Sequence, residues 1–129
     1  MFKPQAAFTG FSVNDLAKAK PFYGEILGLK LVDESMGLRF ELPAGGQLFI
    51  YEKGDHTPAS FTILNFVVSD IDEEVRELKN QGVSFEHYDA GVKTDPEGIA
   101  RGRAAKMGPD IAWFKDPAGN ILSVLQDAD

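Results

Sequence analysis

The chain has 129 residues, 43% of them hydrophobic. That suits one globular domain, or two small halves sharing a core, and excludes a disordered segment. The formal net charge of −7 opposes binding to nucleic acid phosphates or an anionic membrane and tolerates cationic ligands. There are no cysteines, which excludes disulfides and thiolate metal sites and fits a cytoplasmic location. No apolar run reaches membrane-spanning length, and "MFKPQAAFTG" lacks the apolar core of a signal peptide.

The first element is a strand over "AAFTGFSV" (6–13), apolar with small residues. Asn14 or Asp15 then offers an N-cap, and Leu16, Phe22 or Tyr23, Ile26 and Leu27 follow at helical spacing. Pro21 conflicts with a regular helix. Either it kinks the helix, or residues 16–20 form a preliminary turn and Pro21 stands near a helix start. Gly28 supplies the stop. "LKLVDES", "LRFELP" and "QLFIYE" predict three strands parted by "MG" and "AGG" turns.

"KGDHTPAS" (53–60) is polar and turn-rich, and predicts a linker. "FTILNFVV" (61–68) is a nearly unbroken apolar run, expected to be a strand covered on both faces. "DIDEEVRELKNQG" predicts an amphipathic helix with Ile71, Val75 and Leu78 on one face, an acidic first turn and a Gly82 stop. "VSFEHYD" predicts a short strand and "AGVKTDPEGIARG" a loop. "DIAWFKD" and "NILSVLQ" predict two closing strands around the turn "DPAGN".

The order is therefore strand, helix and three strands, stated twice. Val13-x-Asp15-Leu16 and Val68-x-Asp70-Ile71 are the same helix-opening pattern, 55 residues apart, and the stops at Gly28 and Gly82 lie 54 apart. Each βαβββ module is too small to bury a core alone. The expected domain spans 1–129, with module one at about 1–54 and module two at about 61–129.

"VNDLAKAKPFYGEILGL" resembles the first-helix signature of the vicinal oxygen chelate superfamily, and "WFKDPAGNILSV" resembles its final hairpin. That superfamily includes glyoxalase I, bleomycin resistance proteins, fosfomycin resistance enzymes and extradiol dioxygenases. The resemblance implies an α+β fold in which two βαβββ modules form a curled mixed sheet cup, and it implies pairing into homodimers. It also implies a divalent metal held by His and Glu from the first and last strand of each module. The first-strand position lies five residues before the motif valine and falls on Phe8 and Ile63. The last-strand position lies seven residues after the Asp of D-P-x-G and falls on Ser123, matched in the first half by Phe49 or Ile50. Phenyl and alkyl groups have no lone pairs, and a lone serine hydroxyl is a poor ligand. The sequence thus resembles a branch lacking the metal ligands, with no metal and no cofactor expected.

Other metal donors are sparse. Glu52 stands near the fourth position and reads as a solvated strand-end charge. His56 and His87 are the only histidines; with Asp89 they form one alternative set, and Glu52 with a histidine forms another. The cup itself is expected to be lined by Phe8, Arg39, Phe49, Tyr51, Ile63, Asn65, Trp113 and Ser123. Asn65 interrupts an apolar strand with the parity of Ile63, so it reads as a cavity amide needing partners. Arg101 and Arg103, with Lys106, form a basic cluster in an acidic chain and a candidate lid over an anionic group.

These residues favour a metal-independent protein that binds an unidentified small molecule, of the sequestering kind, with neither nucleic acid nor membrane as partner. Aromatic lining with an acidic surface suits a flat, cationic ligand. The alternative from another class is a glyoxalase-like lyase or dioxygenase using a displaced metal site. A third reading is an interaction module whose cup is filled by its own side chains.

Overall fold

The computed structural model describes residues 1–128. The chain divides into two compact units, Met1–Pro58 and a second that begins at Ala59.

In the first unit, β1 (Thr9–Val13) leads into α1 (Leu16–Pro21). Asp15 is the cap, because its backbone is extended and its carboxylate accepts the Ala17 N–H at 2.9 Å. The conflict at Pro21 is resolved by a change of helix type. Proline has no N–H to give to the preceding turn. Phe22 N–H bonds the Ala19 carbonyl, and the next turn, Phe22–Ile26, is π-helical. Leu27 N–H reaches back five residues to Phe22 O at 2.9 Å. Leu29 N–H reaches back six, to Tyr23 O at 3.0 Å. A π turn houses one residue more than an α turn over the same rise. From capping Asp to terminal Gly the first module has 13 steps and the second 12, so the π turn absorbs the difference between the two repeats.

Three strands follow: β2 (Lys30–Asp33), β3 (Leu38–Glu41) and β4 (Gln47–Glu52). The sheet order is β1-β4-β3-β2, with β1 parallel to β4 and the other pairs antiparallel. One face is buried through Val13, Leu38, Phe40, Leu48 and Ile50. It packs on the helical segment through Tyr23, whose ring lies 5.8 Å from Phe11 and 6.1 Å from Phe40.

The second unit repeats the plan. β5 (Thr62–Val67) precedes α2 (Ile71–Asn80), capped by Asp70, which accepts the Glu73 N–H at 3.2 Å. α2 ends in paired bonds from Gly82 N–H to Lys79 O and Val83 N–H to Leu78 O, both 3.0 Å. Gly82 takes φ +95, as that closure requires. The closing strands are β8 (Ile99–Arg101), β9 (Asp110–Lys115) and β10 (Ile121–Gln126), after a small hairpin of β6 (Asp89–Ala90) and β7 (Val92–Lys93). The order β5-β10-β9-β8 reproduces the first sheet, with β5 parallel to β10. The repeat extends to single hydrogen bonds. Glu52, ending β4, accepts the Leu16 N–H at 3.0 Å, and Gln126, ending β10, accepts the Ile71 N–H at 3.0 Å. Each closing strand thereby holds one orphan donor of its module's helix. The fold is α+β, with two helices and two four-stranded mixed sheets, as two βαβββ modules require.

Two expectations fail. β5 is not covered on both faces. It lies at a sheet edge, where Val67 is 65% exposed and Asn65 is exposed. The run "VSFEHYD" forms no extended strand. Phe85 makes one bridge to Phe114, and β8, inside the expected loop, takes the place beside β9. Gly98 lies so close to Phe85 that a Cβ would sit 3.0 Å from the Phe85 Cβ. Residues 87–98 are thus an excursion that leaves and rejoins the same sheet edge.

Candidate functional site

Strand alternation sorts the first sheet into two faces. Directly paired residues share a face. Gly10 pairs with Phe49, Ser12 with Tyr51, and Arg39 with Phe49. These point away from the buried face that carries Leu48 and Ile50. The sequence left Phe49 or Ile50 as the match to Ser123. In the second sheet Ser123 pairs with Asn65, three residues before Val68. In the first, Gly10 stands three before Val13 and pairs with Phe49. The matching residue is Phe49.

This open face carries an aromatic and cationic cluster. The rings of Phe8 and Phe49 meet edge to face with centroids 6.3 Å apart. Phe49 stacks on Tyr51 at 6.0 Å and 21°. Arg39 spans both phenyl rings, its Cζ 4.8 Å from the Phe8 centroid and 5.3 Å from the Phe49 centroid. Such contacts contribute roughly 0.5–1 kcal/mol each at exposed sites. Arg39 also donates from Nη1 to Gln47 Oε1 at 3.0 Å. The face remains open to solvent, since Phe8 is 60% and Tyr51 40% exposed. Further along, Ser12 Oγ and His56 Nδ1 are hydrogen-bonded at 2.6 Å. Four of the expected lining residues, Phe8, Arg39, Phe49 and Tyr51, therefore come together. Gln47, Ser12 and His56 join them unforeseen. Strand parity could have found Ser12 and Gln47, but nothing local links Ser12 to a histidine 44 residues on.

The other four lie in the second unit. Ser123 is fully buried and donates to Asn65 Oδ1 at 2.5 Å. Asn65 is thus an exposed partner of Ser123 rather than a buried amide in need of one. Ile63 is the extra residue where the β5–β10 register shifts, between Ile121 paired with Thr62 and Leu122 paired with Leu64. Trp113 is half-buried, donates its indole N–H to Thr62 Oγ1 at 3.1 Å, and meets Tyr88 edge to face at 5.6 Å.

The basic cluster is not a free lid. Arg101 is part of β8 and grips Asp72 with Nη2 to Oδ1 at 2.6 Å and Nη1 to Oδ2 at 3.0 Å. Its Nε donates to Asp95 Oδ2 at 2.9 Å. Arg103 lies 3.9 Å from the carboxylate of buried Asp110. The Arg101 hydrogen bonds lower the Asp72 carboxyl below its ordinary range, against the smaller effect of burial. Burial would raise Asp95, but bonds from Ile99 N–H, Arg101 and Glu97 N–H outweigh it and the net shift is downward. The Asp72 bond in turn raises Arg101. Arg101 fastens β8 to α2, and both arginines of the cluster face this chain's own carboxylates.

Glu52 is exposed, as expected, and accepts the Leu16 N–H at the start of α1. His56 bonds Ser12, while His87 and Asp89 border a cleft of about 430 Å³ with Tyr88, Thr94, Asp95 and Pro96. Among the described residues, no three His, Cys, Asp or Glu side chains stand together as metal ligands.

Paired βαβββ modules with these strand orders define a class of protein. The chain belongs to the Glyoxalase/Bleomycin resistance protein/Dioxygenase superfamily, whose model matches residues 5–124. Solved structures agree. An antibiotic binding protein from Streptomyces sp. CB03234 is 25% identical with a TM-score of 0.68, covering 98% of this chain and 100% of its own. A glyoxalase/bleomycin resistance protein from the same organism is 26% identical at TM-score 0.61, covering 93% and 100%. Lactoylglutathione lyase from Agrobacterium tumefaciens, 20% identical at TM-score 0.62 over 95% and 94%, shares the fold. No curated protein matches the sequence.

The metal that the family resemblance implies does not fit the residues at its positions. In the first unit, the positions that the resemblance assigns to donors hold the two phenyl rings of Phe8 and Phe49. In the second, Ile63 has no donor and the Ser123 hydroxyl is given to Asn65.

Proposed function

We propose that this protein is a metal-independent binding protein of the sequestering kind, and that it holds a flat organic molecule on the open face of the first sheet. One observation carries the reading. Phe8 and Phe49, which stand at the positions that the family resemblance assigns to a metal in that module, are in contact with each other, and Arg39 lies over both rings. Exposed aromatic faces held rigid by strands offer stacking area at low entropic cost. Gln47, Ser12 and His56 set polar groups around them to orient a ligand. The antibiotic binding named for the Streptomyces relative at 25% identity supports a ligand-holding role. The reading includes a cytoplasmic homodimer. Support for the dimer comes from apolar side chains left in solvent, Phe61 at 68% and Val67 at 65% exposed.

Native mass spectrometry tests the reading, on protein purified without chelator or added metal. The expected species is a dimer, bare or carrying an organic mass. A stoichiometric divalent ion would sink it and bring the lyase or dioxygenase reading forward.

A further inference from the structure

The net charge of −7 favours a cationic ligand, but the open face of the first sheet presents a cation of its own. Arg39 is half-buried, and among the described residues it forms no ion pair. Acidic neighbours are at hand and engaged elsewhere or apart. Asp33, its cross-strand partner on β2, accepts the Ser35 hydroxyl at 2.9 Å. Glu41, two residues along β3, forms no ion pair with it. This differs from Arg101, which carboxylates hold on two sides. Arg39 is fixed by two ring faces and by one neutral acceptor, Gln47 Oε1. Its position is set without a salt bridge, and a guanidinium has five N–H donors in a planar fork. Beside it Gly10 adds no side chain next to the Phe49 Cβ, and Phe8 and Tyr51 are the rings of this face most open to solvent.

We infer that the ligand of this face is a flat organic anion, an aromatic carboxylate, with Arg39 as its anchor and the exposed rings of Phe8 and Tyr51 as its stacking surface. The inference rests on the proposed ligand role of this face and names the chemical class it takes. A carboxylate matches the guanidinium fork with two parallel hydrogen bonds, as neither an amide nor an ammonium does. The acidic charge elsewhere acts through water and salt, and it is screened beyond about 8–10 Å. Local chemistry outweighs the net charge here.

The test is calorimetric titration of the full chain with three probes of one shape: 2-naphthoate, 2-naphthamide and 2-naphthylmethylammonium. The expected order has naphthoate tighter than naphthamide by roughly tenfold or more, with the ammonium weakest. Arg39→Met should erase the naphthoate preference and leave naphthamide nearly unchanged. Arg39→Lys should keep part of the preference, since it retains charge and loses the fork. Naphthamide or the ammonium binding as tightly as naphthoate, or Arg39→Met keeping the preference, would overturn the anion anchor and leave the ligand-binding reading standing. Failure of all three probes to bind would overturn both.

Discussion

Replacing Asp116 by alanine removes an acceptor from three donors at once. Oδ1 accepts the Ala118 and Asn120 N–H groups and Oδ2 accepts the Asn120 side-chain amide, each at 2.9 Å. Asp116 is 5% and Asn120 3% exposed, so water reaches neither Asn120 donor readily. Ala118 is half-buried, and its N–H hydrates more easily. A buried donor left unsatisfied costs about 1–3 kcal/mol, so two such donors with partial relaxation give about 2–4 kcal/mol for Asp116→Ala. Asp116→Asn keeps the shape and one acceptor oxygen, and should lose about half as much. Urea unfolding followed by circular dichroism measures both. In thermal unfolding, the alanine variant should melt roughly 8–15 °C lower for a chain of this size. An alanine variant within about 0.5 kcal/mol of the wild type would refute the reasoning, because the turn would then exchange its bonds with water freely.

Three further outcomes are expected. Asp72 and Asp95 have lowered carboxyl pKa values in the fold, so their contribution is present above the unfolded carboxylate value of about 3.9 and is lost as pH falls through the folded values. Acid titration of stability should therefore be steeper below about pH 4 in the wild type than in Arg101→Met, with about 1 kcal/mol at stake after solvent screening. Gly37→Ala should destabilise by about 1–3 kcal/mol in urea, because Gly37 sits at φ +134 and a Cβ would lie 2.8 Å from Ile50 O and 3.0 Å from the Phe49 ring. Phe8→Ala, at a ring 60% exposed, should change stability by under about 1 kcal/mol while weakening a bound naphthalene probe severalfold in calorimetry.

The repeat was legible because its punctuation is local. An Asp before an apolar helix face and a Gly after it mean the same thing wherever they occur: Gly28 and Gly82 take the left-handed turn after each helix, Asp70 caps α2, and of the two candidates Asn14 and Asp15 it is Asp15 that caps α1. The π turn was visible only as a one-residue mismatch between repeats and an awkward Pro21, since nothing local distinguishes a kink from a wider turn. β8 was hidden in a loop of glycine and charge. It is a three-residue strand, and its pairing with β9 supplies what periodicity could not. The apolar run of β5 misled because apolar content alone does not say whether a neighbour lies on each side.

For the site, strand parity puts Phe49 and Tyr51 on one face of their strand, because the side-chain period of two is a property of the extended backbone, but it does not say which face Arg39 of the neighbouring strand shares. Only tertiary structure decided the rest. Register between β1 and β4 made Phe49 the match to Ser123. Packing on distant carboxylates turned Arg101 from a candidate lid into a clasp. The rings of Phe8 and Phe49, with Gln47, hold Arg39 on the open face with no ion pair among the described residues. Sequence determines which groups a strand or helix can present. Which of those groups find partners depends on residues far along the chain, and that is settled when the sheet closes.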